Sequence, residues 1–296
     1  MKKPIRATTS GRVYLDLQKL ARQEQRPTDE LLQLYALEGF LNRLSKSKHS
    51  KQLVLKGGVL LAVFGVRRPT RDIDFQGIAL PGEEEKIKDI VCSIAEIEFD
   101  DGLVFDCSAA TATYIREQDE YPGVRVSLKA SLASARLHFH IDINIGDPVV
   151  PPASEVCYPQ ILGGEISLLG YPLAMVLGEK IVTAVSRGTV NTRWRDFADI
   201  YILSRSLPVQ GDQLQESISN IAEYRKVETE SLEDVLQGYA SKVQREWSIW
   251  RRKQKLEEKL PESFENVLRD IYKFADPALL KAVGGLSWDP ATFVWG

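Results

Sequence analysis

Thirteen residues after Lys56-Gly57-Gly58 the chain carries Asp72-Ile73-Asp74-Phe75, and this spacing constrains its fold more than any other feature. Successive side chains of an extended strand point to opposite faces. Asp72 and Asp74 therefore share one face, and Ile73 and Phe75 share the other. Two carboxylates so placed repel by ~4 kcal/mol at ~4 Å under an effective dielectric of ~20. A sheet that keeps them must turn one face to cations or water and the other to a core. Hard divalent cations compensate such a pair most directly, and Mg²⁺ suits carboxylates combined with nucleotide phosphates. The glycine pair interrupts the apolar run LVLKGGVLLAVFG, which predicts a short strand, a tight turn and the start of a helix. With no side chain in the way, its backbone N–H groups can approach a phosphate chain. An isolated Asp-x-Asp is ordinarily a pair of solvated loop residues; the glycines at this distance favour the functional reading.

A third carboxylate stands in His138-Phe139-His140-Ile141-Asp142-Ile143-Asn144-Ile145. Phe139, Ile141, Ile143 and Ile145 fill one face, and Asp142 projects from the other beside His138, His140 and Asn144. A charge inside so apolar a strand is costly to bury unless paired or metal-bound. An edge strand with one wet face accounts for the segment equally well. The two histidines have no third soft ligand at zinc-site spacing, so a supporting or solvent-facing role is expected of them.

Around these strands the pattern is mixed. Apolar spacing predicts helices over Val13–Ala21 and Asp29–Ser45, with Thr28 and Asp29 as caps, and another near Glu83–Glu96. TATYIRE, VRVSLKA and ARLHFHIDINI read as an antiparallel meander, with EYPG between the first two. A Pro-rich loop follows over Gly146–Pro152. LAMVLGEKIVTAVSRG and DFADIYILSRSLP are helices ended by Gly188 and Pro208. Beyond residue 208 the pattern is helical to about Ala282, interrupted near Leu260–Pro261, with a boundary near Leu207–Gly211. The order argues for an α+β core with a helical appendage.

Composition removes several classes of function. With 38 Lys plus Arg against 41 Asp plus Glu, the net charge of −3 provides no global attraction to nucleic acid, so any such binding needs a local basic surface. No apolar run approaches the roughly 18–20 residues of a membrane span, and no apolar segment follows MKKPIRATTSGR, so neither a span nor a secretory signal is expected. Cys92, Cys107 and Cys157 are odd in number and form no Cys-x-x-Cys, which points to a reducing cytoplasm.

LKGGVLLAVFGVRRPTRDIDF resembles the first motif of the nucleotidyltransferase superfamily, Gly-Gly or Gly-Ser followed by Asp-x-Asp. With LHFHIDINIGDPV, LGEKIVTAVSRG and RWRDFADIYIL, the chain from about residue 50 to 205 is similar to the AbiEii/AbiGii toxin family, which includes the MenT toxins. The resemblance implies a DNA polymerase β-like α+β fold, with a mixed sheet and covering helices. The nucleotidyltransferase core with its N-terminal helices would span residues 1–207, and a helical C-terminal domain residues 208–296. It makes Asp72, Asp74 and Asp142 the ligands of Mg²⁺ or Mn²⁺. Lys180 matches the lysine that grips nucleotide phosphates, and Asp196 the downstream catalytic aspartate. Lys56, Gly57, Gly58 and Arg71 are expected at the nucleotide.

The implied activity is transfer of a nucleoside monophosphate from an NTP, pyrimidine and CTP favoured, to the 3′ acceptor end of tRNA, which blocks aminoacylation and translation. A cognate antitoxin is the implied partner, with neither DNA nor membrane. Some such antitoxins act as kinases, and phosphate on Thr70 would place about −1.5 to −2 charges beside the aspartates. Arg67, Arg68, Arg193, Arg251 and Arg252 are candidate RNA contacts. For Arg245–Lys255, with Trp247 and Trp250, a core-anchored charged helix is the simpler reading. Two rival functions share the aspartates: an antibiotic-type small-molecule nucleotidyltransferase, and a non-catalytic module that binds a nucleotide or a protein.

Overall fold

The computed structural model describes residues 4–115, 123–146 and 148–296. The chain divides into two compact units, one of residues 1–147 with 153–171, the other of residues 148–152 with 172–296.

The first unit opens with α1 (Thr9–Gln23), whose first turn is capped by the Thr8 hydroxyl accepting from the Gly11 N–H. Helix α2 (Thr28–Lys46) starts after Pro27, and no side chain caps it. Thr28 and Asp29 are thus inside the first turn, where Asp29 and Glu30 meet the positive end of the helix dipole. Then come β1 (Leu53–Lys56), a one-turn helix α3 (Gly57–Leu60), β2 (Asp72–Gly77) and α4 (Glu84–Ala95). Five strands complete the unit: β3 (Leu103–Tyr114), β4 (Gly123–Leu132), β5 (Ala135–Ile145), β6 (Ser154–Pro159) and β7 (Glu165–Gly170). They form one mixed sheet of seven strands in the order β3-β4-β5-β2-β1-β7-β6. The pairs β2/β5 and β1/β7 are parallel, and the others antiparallel.

The predicted meander is β3-β4-β5, although β3 begins earlier than the TATYIRE segment and shifts register between Asp106 and Thr111. Residues 116–117 of that segment and 120–122 of the EYPG turn lie outside the described residues, as does Asp147. The β6–β7 hairpin has no counterpart in the apolar pattern, because these short strands at the sheet edge leave Glu155, Cys157 and Glu165 exposed.

One face of the sheet is the core. Ile73 and Phe75 of β2, Val124, Val126 and Leu128 of β4, and Phe139, Ile141 and Ile143 of β5 are all buried. Helices α2 and α4 pack onto this side, with Phe40 of α2 against Phe75. The alternation read from the sequence therefore decides which face is left for chemistry.

The second unit is α5 (Leu173–Arg187), α6 (Trp194–Ser206), β8 (Val209–Gln210), α7 (Gly211–Arg225), α8 (Leu232–Val235), α9 (Tyr239–Lys253), α10 (Phe264–Leu279), β9 (Ser287–Asp289) and β10 (Val294–Trp295). Its strands make a small antiparallel sheet, β10-β9-β8. Gly188 ends α5 at φ +50°. The units divide at Tyr171/Pro172, ahead of the boundary near residue 208, because α5 and α6 pack on α7 and α10. Trp194, Phe197, Tyr239, Trp247 and Phe264 form an aromatic core. Trp247 is fully buried and stacks on Trp250, so this pair anchors the core, as expected.

Candidate active site

The strand register sets four charged residues in one row across the face of the sheet opposite the apolar core. Lys56 of β1 stands opposite Asp74 of β2. Asp74 stands opposite Asp142 of β5, and Asp142 opposite Arg125 of β4. The row reads cation, anion, anion, cation. Two residues along, Asp72 is opposite His140 and His140 opposite Ser127. The Ser127 hydroxyl and His140 Nδ1 are 3.0 Å apart. Carboxylates some 70 residues apart in sequence are thus neighbours because β2 and β5 run parallel and in step.

Three carboxylates, Asp72, Asp74 and Asp142, crowd this spot, with Lys56 and Arg125 at the two ends of the row. Removal from bulk water, then the Asp142 charge, pushes the Asp74 carboxyl up to about 6, with Asp72 adding to the rise; Lys56 and the Gly58 N–H oppose it. Asp142 is the best compensated of the three. Its two oxygens accept from Arg125 Nε at 2.7 Å and from Arg125 Nη2 at 2.6 Å. Lys56 is 7% exposed and lies 5.2 Å from the centre of the Tyr171 ring. Burial holds the His140 imidazole below its ordinary pKa.

Gly57 makes the arrangement possible. It has φ +67°, and a Cβ there would fall 1.9 Å from Asp74 Oδ2. The glycine turn therefore wraps the Asp74 carboxylate, which accepts from the Gly58 N–H. This differs from the open phosphate cradle expected from the sequence, because the space freed by the missing side chain is already taken by a carboxylate.

The donor chemistry suits a hard divalent cation at Asp72 and Asp74: two carboxylates on one strand face, a third beside them, and a cradle that only glycine permits. The expected third ligand is engaged elsewhere, since Asp142 is ion-paired to Arg125. Among the described residues, no three His, Cys, Asp or Glu side chains are arranged to hold a metal ion. The fit is thus to a two-carboxylate site.

Near this row, the Thr70 hydroxyl donates to the Asp72 carbonyl at 3.1 Å. Arg68 and Thr70 lie against Gly58, and Arg71, exposed to solvent, accepts at its carbonyl from the His140 N–H. Arg67 was expected at RNA but turns inward. It pairs with Glu38 at 2.6 Å, donates to the Pro159 carbonyl and lies over the Tyr158 ring. Glu38 is 1% exposed and also accepts from the Ile161 N–H, so Arg67 is the counter-ion of a buried acid. His138 and His140 meet edge to face with ring centres 4.9 Å apart.

Lys180, Asp196 and Arg193 belong to the second unit. Lys180 Nζ is 2.8 Å from Asp196 Oδ1 and 2.8 Å from Asp199 Oδ2, and Arg193 Nε is 3.0 Å from Asp196 Oδ2. Asp199 is a second anionic partner of Lys180. Arg251 donates to the Leu260 carbonyl at 2.8 Å and the Glu257 carbonyl at 2.6 Å, which ties down the segment after α9. Its donors thus serve the fold, while Arg252 is exposed. Arg125 had no place among the expected site residues. The signal for it was present in VRVSLKA, where Arg125 shares the polar face of a strand with Ser127 and Lys129.

The family described as "Nucleotidyl transferase AbiEii toxin, Type IV TA system" matches residues 39–281. Among solved structures, the chain is similar to a candidate nucleotidyltransferase of H. pylori, at 12% identity and TM-score 0.47, covering 86% of this chain and 96% of that one. It is also similar to JHP933 of Helicobacter pylori, at 14% identity and TM-score 0.47, covering 91% and 93%. No curated protein sequence matches the chain.

Proposed function

The chain belongs to the AbiEii family of nucleotidyl transferase toxins, and on that premise we propose that it transfers a nucleoside monophosphate from an NTP to the 3′ end of tRNA. A pyrimidine nucleotide is the favoured donor, CTP first. The modified end could no longer be aminoacylated, and translation would stop. In the step itself, a bond forms between the 3′ oxygen and the α-phosphorus as the bond to the pyrophosphate oxygen breaks. The hydroxyl proton leaves to solvent or a nearby base, and pyrophosphate is the second product.

The observation that supports this reading is the Lys56–Asp74–Asp142–Arg125 row with Asp72 beside it. Asp72 and Asp74 would hold Mg²⁺ or Mn²⁺. When bound, the ion supplies charge compensation for the triphosphate and acidifies the attacking hydroxyl. Lys56 keeps one positive charge permanently next to Asp74, and Arg71 and Arg68 offer cations to phosphates at the edge of the row. Lys180, fixed between Asp196 and Asp199, is assigned the phosphate-holding role of the family's lysine, and Asp196 orients it. An antitoxin partner accords with the family's toxin–antitoxin designation. Phosphate on Thr70 would add negative charge next to Asp72 and oppose nucleotide entry.

The test is incubation of the purified protein with Mg²⁺ and each α-labelled NTP in turn, with total tRNA or an aminoglycoside as acceptor, beside an Asp72→Ala control. A labelled tRNA band that needs Asp72 and appears most strongly with CTP is expected. Label confined to a small aminoglycoside acceptor, or no label in any product, would overturn the tRNA assignment.

A further inference from the structure

The two cations of the row are built differently. Lys56 is buried, lies on a strand between β2 and β7, and is packed against the Tyr171 ring. It has no room to leave. Arg125 reaches Asp142 from the solvent side: its side chain is 40% exposed, against 11% for Asp142. Its neighbours on that face of β4, Ser127 and Lys129, are small or exposed. The guanidinium can therefore swing away without opening the core, while Asp142 is held by the strand between Ile141 and Ile143, both fully buried.

Charge and shape point the same way. With Arg125 in place, both oxygens of Asp142 are engaged, and only Asp72 and Asp74 remain for a cation. A guanidinium holds a carboxylate and a phosphate with the same planar fork of two N–H donors, so moving from one to the other keeps its bonding geometry. An arriving triphosphate brings acceptors of that kind to this face of the sheet. Once Arg125 turns to them, Asp142 faces Asp74 across the parallel pair with its charge uncompensated, and the site becomes a three-carboxylate one.

We propose that Arg125 is an exchangeable counter-ion: it occupies Asp142 while no nucleotide is bound and passes to the phosphates when one arrives, releasing Asp142 to the divalent cation. Arg125 is thus a positioning residue that makes tight metal binding conditional on nucleotide. This rests on the nucleotidyltransferase reading of the site but is independent of the acceptor.

The experiment is Mn²⁺ titration followed by electron paramagnetic resonance, on full-length protein, without RNA, with and without a non-hydrolysable CTP analogue. Wild type should bind Mn²⁺ weakly alone and at least about tenfold more tightly with the analogue, the scale of one charge-assisted bidentate contact. Arg125→Gln should bind Mn²⁺ without nucleotide several-fold more tightly than wild type does, and its gain on adding the analogue, whose phosphates also ligate the ion, should be smaller than wild type's by about the same factor. Arg125→Lys, which keeps the charge but not the fork, should fall between, and it carries the test if the glutamine variant does not fold. Nucleotide-free Mn²⁺ affinity in Arg125→Gln equal to or below that of wild type would overturn the proposal, leaving Arg125 a structural pin. Mn²⁺ binding that follows the expected pattern in a protein that labels no tRNA would sink the acceptor assignment alone. No Mn²⁺ binding to any form, with or without the analogue, would sink both the metal site and the exchange.

Discussion

Replacing Asp74 by asparagine is expected to stabilise the metal-free protein while abolishing transfer. The folded protein holds the Asp74 proton up to about 6, against 3.8 for the ordinary side chain. In the window between those values the folded state keeps a proton that the unfolded state has released. The stability due to this group is therefore fully present below pH 3.8 and is lost as pH rises through 6. The loss above pH 6 amounts to roughly 3 kcal/mol for a rise of this size, and solvent access to part of the side chain reduces it to about 1–3 kcal/mol. Asparagine keeps an oxygen for the Gly58 N–H and carries no charge, so it escapes the loss. Asp72 and Asp142 still carry two negative charges beside Lys56 and Arg125. The assay is urea denaturation in EDTA of wild type and Asp74→Asn at pH 7.5 and pH 4.5. Other titrating groups cancel in the difference between the two proteins. The variant should be more stable by about 1–3 kcal/mol at pH 7.5, and the gap should shrink towards pH 4.5. Saturating Mg²⁺ should close it at pH 7.5 by stabilising wild type alone. A variant less stable than wild type at pH 7.5, or a gap that ignores pH, would refute the reasoning.

Three further outcomes follow from the geometry. Gly57→Ala combines a positive φ with a Cβ 1.9 Å from Asp74 Oδ2; it should cost about 1–2 kcal/mol and lose both Mn²⁺ binding and transfer, and wild-type Mn²⁺ affinity would contradict this. Lys180→Ala strips Asp196 and Asp199 of their shared cation, so it should lose about 3–5 kcal/mol as well as activity. Adding Asp199→Asn should restore much of the stability but none of the transfer; recovered transfer would remove Lys180 from the reaction. Arg67→Ala leaves the buried Glu38 carboxylate without its ion pair and should lower stability by about 3 kcal/mol. Wild-type stability with weakened tRNA binding in a filter assay would return Arg67 to the RNA surface.

What could be read in the sequence was local. The alternation in β2 and β5 gave the faces of both strands, and with them the side on which Asp72, Asp74 and Asp142 lie, because period-two patterning needs no knowledge of neighbours. The strand, turn and helix around Gly57-Gly58 were equally legible, since two glycines end an apolar run in few other ways. Pairing was not legible. Whether Asp74 meets Asp142 depends on β2 and β5 running parallel, and no single strand encodes that. Arg125 escaped notice because one arginine on an outward strand face looks like any solvated residue until its cross-strand partner is known. Arg67 was misread for the converse reason: its charge suggested RNA, while Glu38, inside the apolar helix LLQLYALEGFLNRL, gave no sign that it would be buried and need a cation. The β6–β7 hairpin was missed because strands that alternate with exposed glutamates at a sheet edge carry little apolar signal.

The close fit between Gly57 and Asp74 has a genetic consequence. A cell that profits from silencing this chain need not touch an acidic codon. Any replacement at position 57 puts atoms where the Asp74 oxygen sits, so every missense change there is a candidate loss-of-function allele. By contrast, some changes at Asp72 or Asp74, such as glutamate, keep the charge. Escape variants selected against an active copy should therefore accumulate at this glycine as readily as at the aspartates it shelters.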